Sequence, residues 1–372
     1  MTDRTHRAWA QPEAAEGPLP ILWFCGPPGA GKSVIAWEVF GNHHGERVGY
    51  VDIDQLTMRA PESGDVFDLA AANLARLVDV HRSLGTRALI VSGVITPDQL
   101  PVLEAGVAGQ AVVTWCLVTA DDGTLRRRVR ERGWSPHLVD MVIADADAWR
   151  SVDAVPRIDT TATTPGDAAR TADDLLHLRP TAALQRPPRL EPLDGDDLVV
   201  VYGPRAVGKS TISWGLFMDC AGRGEPTGYL DADQLGFVHA DAALRDQLIC
   251  RSVASLAQTF ADAGAVRTVV NGNLTPALVA TLQGSRARLV LLDAPRDVLI
   301  ERIAARNGGD SARLAGDDLV GATSHTRAAV LQHALRQRDA YAESAPPARR
   351  IDVSSADPVD HVRSLADLLT HH

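Results

Sequence analysis

Lysine is nearly absent from this chain of 372 residues: of its 37 basic residues, all but Lys32 and Lys209 are arginine. Arginine serves wherever a positive charge is merely useful, so the two lysines mark places that need a compact ammonium. Positive charge as a whole is in deficit, with 47 acidic residues and a formal charge of −10. That excludes a nucleic-acid coat and a basic membrane-surface protein. With only 5% aromatic residues there is no basic groove with interleaved stacking platforms. Cysteine is also scarce. Cys25, Cys116, Cys220 and Cys250 form no C-x-x-C pair, and none of the twelve histidines joins a Cys/His arrangement, which excludes a disulfide framework and a zinc ribbon. No apolar run approaches the roughly 18 residues of a membrane span. Residues 1–18 are polar and rich in proline and alanine, so a disordered tail and a reducing, cytoplasmic compartment are expected.

Both lysines lie in one local pattern. Gly26, Pro27, Pro28, Gly29, Ala30, Gly31, Lys32 and Ser33, followed by Val34, match G-x-x-x-x-G-K-[ST]. So do Gly203, Pro204, Arg205, Ala206, Val207, Gly208, Lys209 and Ser210, followed by Thr211. This is the phosphate-binding P-loop. Small residues let successive backbone N–H groups converge on phosphates at a helix N-terminus, where the dipole favours negative charge, and the lysine adds a point charge. Short apolar runs, 19–25 and 197–202, precede the two loops as strands.

The self-similarity continues in collinear order. Trp37 matches Trp214. The run Gly49 to Leu56, with Asp52 and Asp54, matches Gly228 to Leu235, with Asp231 and Asp233. Val91 to Pro97 matches Val270 to Pro276, and Leu125, Arg128 and Arg132 match Leu299, Arg302 and Arg306. Ile158-Asp159 matches Ile351-Asp352. The expectation is a tandem duplication: an α/β domain over 19–179, a proline-rich linker over 180–196, and a second domain over 197–372. Apolar runs alternate with amphipathic stretches such as 68–83 and 243–263, which implies a parallel sheet sandwiched by helices in each copy. The second copy carries 19 more residues between Asn307 and Arg350.

Each D-x-D pair ends a short strand, and period-two spacing sends both carboxylates to one side of it. At the ligand edge of a parallel sheet such carboxylates hold Mg2+ or accept a proton; alternatively they cap the following helix. Arg128 with Arg132, and Arg302 with Arg306, are spaced to share a helix face, as a phosphate clamp or as a solvated basic face. Arg126, Arg127 and Arg130 do not recur and read as surface. Trp37 and Trp214 read as packing residues, and His43-His44 as a surface turn. Ser92 and Asn271 stand where many P-loop proteins place a Walker-B aspartate, which leaves the metal to Ser33, Ser210, Asp54 and Asp233.

This succession resembles the small-molecule P-loop kinases, among them gluconate, shikimate and adenylyl-sulfate kinases and chloramphenicol phosphotransferase, and is similar to actinobacterial AAA-family ATP-binding chains. The resemblance implies two nucleoside/shikimate-kinase-like P-loop NTPase domains, ATP with Mg2+ as donor, and a small hydroxylated acceptor. Nucleic acid and membrane are not implied as partners. It assigns phosphate contact to the two loops, acceptor or metal contact to Asp52, Asp54, Asp231 and Asp233, and lid contact to Arg128, Arg132, Arg302 and Arg306. A tandem nucleotide-binding ATPase acting as switch or scaffold is the alternative. No motif fixes the acceptor.

Overall fold

The computed structural model describes residues 17–61, 66–153, 155–180, 197–283, 287–307, 319, 321–344, 348–354 and 357–370. The expected disordered tail and linker lie almost wholly outside the described residues.

Eleven strands form two sheets among the described residues: β1 (Leu19–Cys25), β2 (Val48–Asp52), β3 (Arg59–Ala60), β4 (Ala88–Ser92), β5 (Ala111–Thr119), β6 (Arg157–Asp159), β7 (Leu198–Tyr202), β8 (Thr227–Asp231), β9 (Arg267–Gly272), β10 (Arg288–Asp293) and β11 (Arg349–Asp352). The first sheet runs β2-β4-β1-β5-β6 and the second β11-β10-β7-β9-β8-β3. Read from its other edge and without β3, the second sheet repeats the strand order of the first. The pairings of β1 with β4 and β5, and of β7 with β9 and β10, are all parallel. The fold class is therefore α/β, a parallel sheet flanked by helices in each case. Central strands such as Ala88–Ser92 and Leu198–Tyr202 are buried along their whole length, as strands covered on both faces must be. Helix starts follow side-chain caps. Ser135, Thr164 and Thr275 each accept a backbone N–H in the first turn, with proline in the first turn.

The chain divides into two compact units: residues 1–51, 74–189 and 238–248 form one, and 52–73, 190–237 and 249–372 the other. This differs from contiguous domains over 19–179 and 197–372 at two short segments, and backbone pairing gives the reason. Within the second unit, β3 pairs antiparallel with β8, Arg59 beside Gly228, and Met58 and Ala60 pack on its core. Within the first, Val238 bridges Gly49, the His239 N–H donates to Val48 O at 3.0 Å, and the His239 ring stacks on Phe40 at 3.9 Å. In both units an edge strand gains an antiparallel neighbour from the other repeat's sequence. Part of the extra length of the second copy is helical: Ser324–Ser344 has 21 residues, whereas Pro136–Arg150 has 15.

Gly26 and Gly203 lie at φ of 129° and 153°, and a Cβ there would sit 2.2 Å from Val118 O and 2.3 Å from Leu292 O. Gly26→Ala should therefore destabilise the protein by about 3 kcal/mol or prevent folding. Gly41→Ala, inside helix Lys32–Asn42 with nothing within 4 Å, should be neutral or stabilise by up to about 1 kcal/mol. Thermal unfolding of the two variants checks the contrast.

Candidate functional site

Each glycine-rich loop joins the end of its central strand to a helix that begins at the lysine, Lys32–Asn42 in the first unit and Lys209–Gly222 in the second. The residues before the lysines, Gly31 and Gly208, are left-handed at φ of 100° and 103°. That conformation suits glycine and turns the loop so that its amides face the helix start. Ala206, matching Gly29, keeps the left-handed bend at φ 65°.

Both ammonium groups are buried and folded back onto their own loops. Lys32 Nζ donates to Gly26 O at 2.8 Å and Pro27 O at 3.0 Å; Lys209 Nζ donates to Gly203 O at 3.1 Å and Pro204 O at 3.0 Å. Beneath each loop an arginine grips its carbonyls. Arg128 donates to Gly29 O, Ala30 O and Thr160 O, and Arg302 donates to Val207 O and Val353 O at 2.6 Å each. Peptide N–H and C=O point in opposite directions, so carbonyls tied to the guanidinium leave the amides of those peptides facing away from it. Arg128 and Arg302 thus brace the loops from below, a contact the lid assignment did not include. Arg132 lies exposed just past helix Asp122–Glu131. Arg306 stays on the helix face and helps depress the Lys209 pKa. Arg126 and Arg127 make exposed ion pairs with Asp140 and Glu131, as surface residues do.

Each D-x-D pair straddles a strand end, and in the second unit both Asp231 and Asp233 act on the Lys209 charge. Asp52 and Asp231 close β2 and β8, and their carboxylates accept the backbone N–H of Asp54 and Asp233, which sit in the following helical turn. The first aspartate of each pair is a cap. Asp52 and Asp54 fall in the second compact unit, whereas the loop Gly26–Ser33 falls in the first. In the second unit Asp233 is held next to the loop: both its oxygens accept the Asn273 backbone N–H at 3.0 and 3.1 Å, and Oδ2 accepts the Asn273 side-chain amide. Asn273 Oδ1 in turn accepts Lys209 Nζ at 3.0 Å. Asn273 was not singled out in the sequence; the signal was its replacement of Val94 in a run where Ser92 and Ile95 also give way to Asn271 and Leu274. Burial, then the neighbouring Asp233 charge, pushes Asp231 up to about 7. Burial brings Lys209 down to about 8, against the pull of Asp233 and Asp231.

In the first unit Asp145, on helix Pro136–Arg150, feels the Lys32 charge while burial raises its pKa, and its Oδ2 has no hydrogen-bond partner. No sequence signal pointed to it. The Walker-B positions are buried and hold a tyrosine: Ser92 Oγ lies 2.8 Å from the Tyr50 hydroxyl, and the Asn271 amide donates to the Tyr229 hydroxyl at 2.8 Å. Those tyrosines meet Trp37 and Trp214 edge-on at 5.3 Å; Trp37 is half-buried, as a packing residue is, whereas Trp214 is 42% exposed.

For a metal-nucleotide the donor set fits. A Cβ on Gly31 would meet nothing within 4 Å, and one on Gly208 only Arg302 Nη1 at 3.6 Å. Ser33 is exposed, and Ser210 Oγ lies 3.4 Å from Asn271 Oδ1. The described residues contain no group of three His, Cys, Asp or Glu that could hold a metal. A magnesium carried by phosphate oxygens, water and one hydroxyl needs none.

Residues 21–152 match the family model of an AAA domain. That stretch contains the first P-loop, Gly26–Ser33. No curated protein matches the chain closely enough to count as a relative. Among solved structures it is similar to a sugar kinase from Janibacter at 16% identity, covering 42% of this chain and 92% of that one with a TM-score of 0.33. A tunicamycin resistance protein from Deinococcus radiodurans matches at 19%, covering 44% and 99% with a TM-score of 0.35. Shikimate kinase from Acinetobacter baumannii, in complex with shikimate, matches at 16%, covering 48% and 94% with a TM-score of 0.32. Those scores are too low to carry an argument. No helix among the described residues is long and apolar enough to cross a membrane.

The depressed Lys209 pKa sets a pH dependence. The ammonium is charged below about 8 and neutral above it, and a bound triphosphate favours the charged form. ATP binding at this loop should therefore take up a proton above that pH and weaken by up to about tenfold per further pH unit. Calorimetry in buffers of different ionisation enthalpy measures this, with Lys209→Met as the reference lacking the proton-linked component. Affinity that stays flat from about pH 7 to 10 contradicts it.

Proposed function

We propose that this protein is a kinase that moves the γ-phosphate of Mg-ATP to a hydroxyl group of a small acceptor, with a nucleotide site at each P-loop. The observation that carries the reading is the pair of buried ammonium groups parked on loop carbonyls, each at the start of a helix. A lysine in this place exchanges carbonyl oxygens for phosphate oxygens, and the loop amides take up the remaining charge. Lys32 and Lys209 would neutralise the β- and γ-phosphates, and Ser33 and Ser210 would hold the magnesium. The metal supplies charge neutralisation across the two phosphates when bound. In the second unit Asp233 stands beside the lysine and is the residue to take the acceptor hydroxyl's proton. Arg302 keeps the loop carbonyls turned away from the phosphates, as Arg128 does in the first unit. Positioning and electrostatics carry the reaction. Asp52 and Asp54 keep the metal or acceptor role that the resemblance implies, as part of this proposal. A cytoplasmic location fits four buried free cysteines and is proposed with it.

Calorimetry with Mg-ATP should find two binding events, one lost in Lys32→Met and the other in Lys209→Met. ADP release should rise at least about tenfold with one member of a panel of hydroxylated metabolites. Asp233→Asn should remove about 100-fold or more of that acceptor-stimulated rate, and Asp54→Asn tests the first pair in the same assay. Slow ADP release that no acceptor changes would identify a nucleotide switch instead.

A further inference from the structure

We propose that Asn273 is a positioning residue that couples occupancy of the second P-loop to the orientation of the Asp233 carboxylate, a device the first repeat lacks. The inference rests on the kinase reading above. Asn273 touches both partners at once: its backbone and side-chain N–H groups donate to Asp233, and its Oδ1 accepts Lys209 Nζ at 3.0 Å. Of the three oxygens that receive this ammonium, those of Gly203 and Pro204 belong to the loop backbone. The Asn273 oxygen is the one carried on a side chain that can rotate. A triphosphate drawing Lys209 toward its oxygens therefore loosens the Asn273 side chain first. That side chain also fixes one Asp233 oxygen. Asp233 Oδ2 accepts both the backbone N–H and the side-chain amide of Asn273, so a turn of that amide as Lys209 leaves re-aims the carboxylate while the backbone N–H still holds it.

The step balances. The acceptor oxygen forms a bond to the γ-phosphorus as the bond from that phosphorus to the bridging oxygen breaks. The electron pair stays on the β-phosphate of ADP, and the acceptor's proton passes to Asp233. The charges around Lys209 leave this arrangement delicately poised, with Asp233 and Asp231 on one side of the balance and Arg205 and Arg306 on the other. Arg205 is held in place through its backbone N–H, which donates to Gln337 Oε1 at 3.0 Å. The matching residue in the first half is Val94, which has no side-chain amide and is 43% exposed. The two repeats therefore differ in the one residue that links lysine to aspartate.

The test uses the full-length protein and a nonhydrolysable Mg-ATP analogue. The Asn273 side-chain NH2 signal, assigned as the one missing in Asn273→Val, should shift on saturation with the analogue in the wild type and stay fixed in Lys209→Met. With water as acceptor, Asn273→Val should lower kcat for ADP release by about 10- to 100-fold while KM for ATP changes less than about threefold. Valine stands at this position in the first repeat, and Asn273→Ser gives a polar variant should the valine protein fail to fold; the same split is expected. An Asn273 signal that ignores the analogue, or a kcat within about twofold of wild type in both variants, overturns the coupling. A wild-type protein that binds no Mg-ATP at either loop fails earlier, at the kinase reading.

Discussion

A buried ammonium bound to backbone carbonyls is a charge waiting for a better partner. Lys32 and Lys209 are 5% and 7% exposed, and each donates to the carbonyls of the first two residues of its own loop. Taking an ammonium out of water costs several kcal/mol unless its hydrogen bonds are replaced, and neutral oxygens compensate its charge less well than phosphate oxygens do. The rest of each unit keeps that arrangement in place. The opening glycine lets the loop pass against the neighbouring strand, the arginine below turns the carbonyls, and the helix dipole adds its positive end.

Much of this was legible in the residues because it depends on local backbone demands. A P-loop needs glycine where φ is positive and lysine at the first helical position, and those demands leave a pattern on the chain. The strand before, the helix after and the alternation of apolar runs with amphipathic stretches likewise gave a parallel α/β sheet in both halves. The aspartates show where such reading stops. D-x-D spacing holds equally for a strand and for a strand ending in a capped turn, and the cap won because Asp52 and Asp231 each find a backbone N–H two residues on. The arginines show the same limit. An i, i+4 spacing puts two side chains on one face, but whether they point to solvent, substrate or loop carbonyl depends on what that face meets. Asp145 and Asn273 come to their lysines from distant sequence, and no local spacing announces them.

The two sites differ around a like-patterned loop. In the second, lysine, asparagine and aspartate form a continuous chain of hydrogen bonds, and a buried amide faces the tyrosine. In the first, a serine takes the amide's place, a valine stands where the linking asparagine would be, and the nearby carboxylate comes from helix Pro136–Arg150. A difference of this kind alters what surrounds the phosphates while leaving the means of holding them intact.

The pairing of β3 with β8, and of Val238 with Gly49, bears on how the chain is made. A polypeptide emerging from the ribosome finishes a contiguous domain as soon as its last strand is out. Here the first unit receives its final piece only when residue 248 has emerged, well after β7 and its loop. Until then the outer edge of β2 lacks its cover, and Arg59 and Ala60 await a strand not yet translated. Exposed strand edges invite wrong pairing during synthesis. The nascent first unit must therefore persist unfinished while residues 197–248 are built.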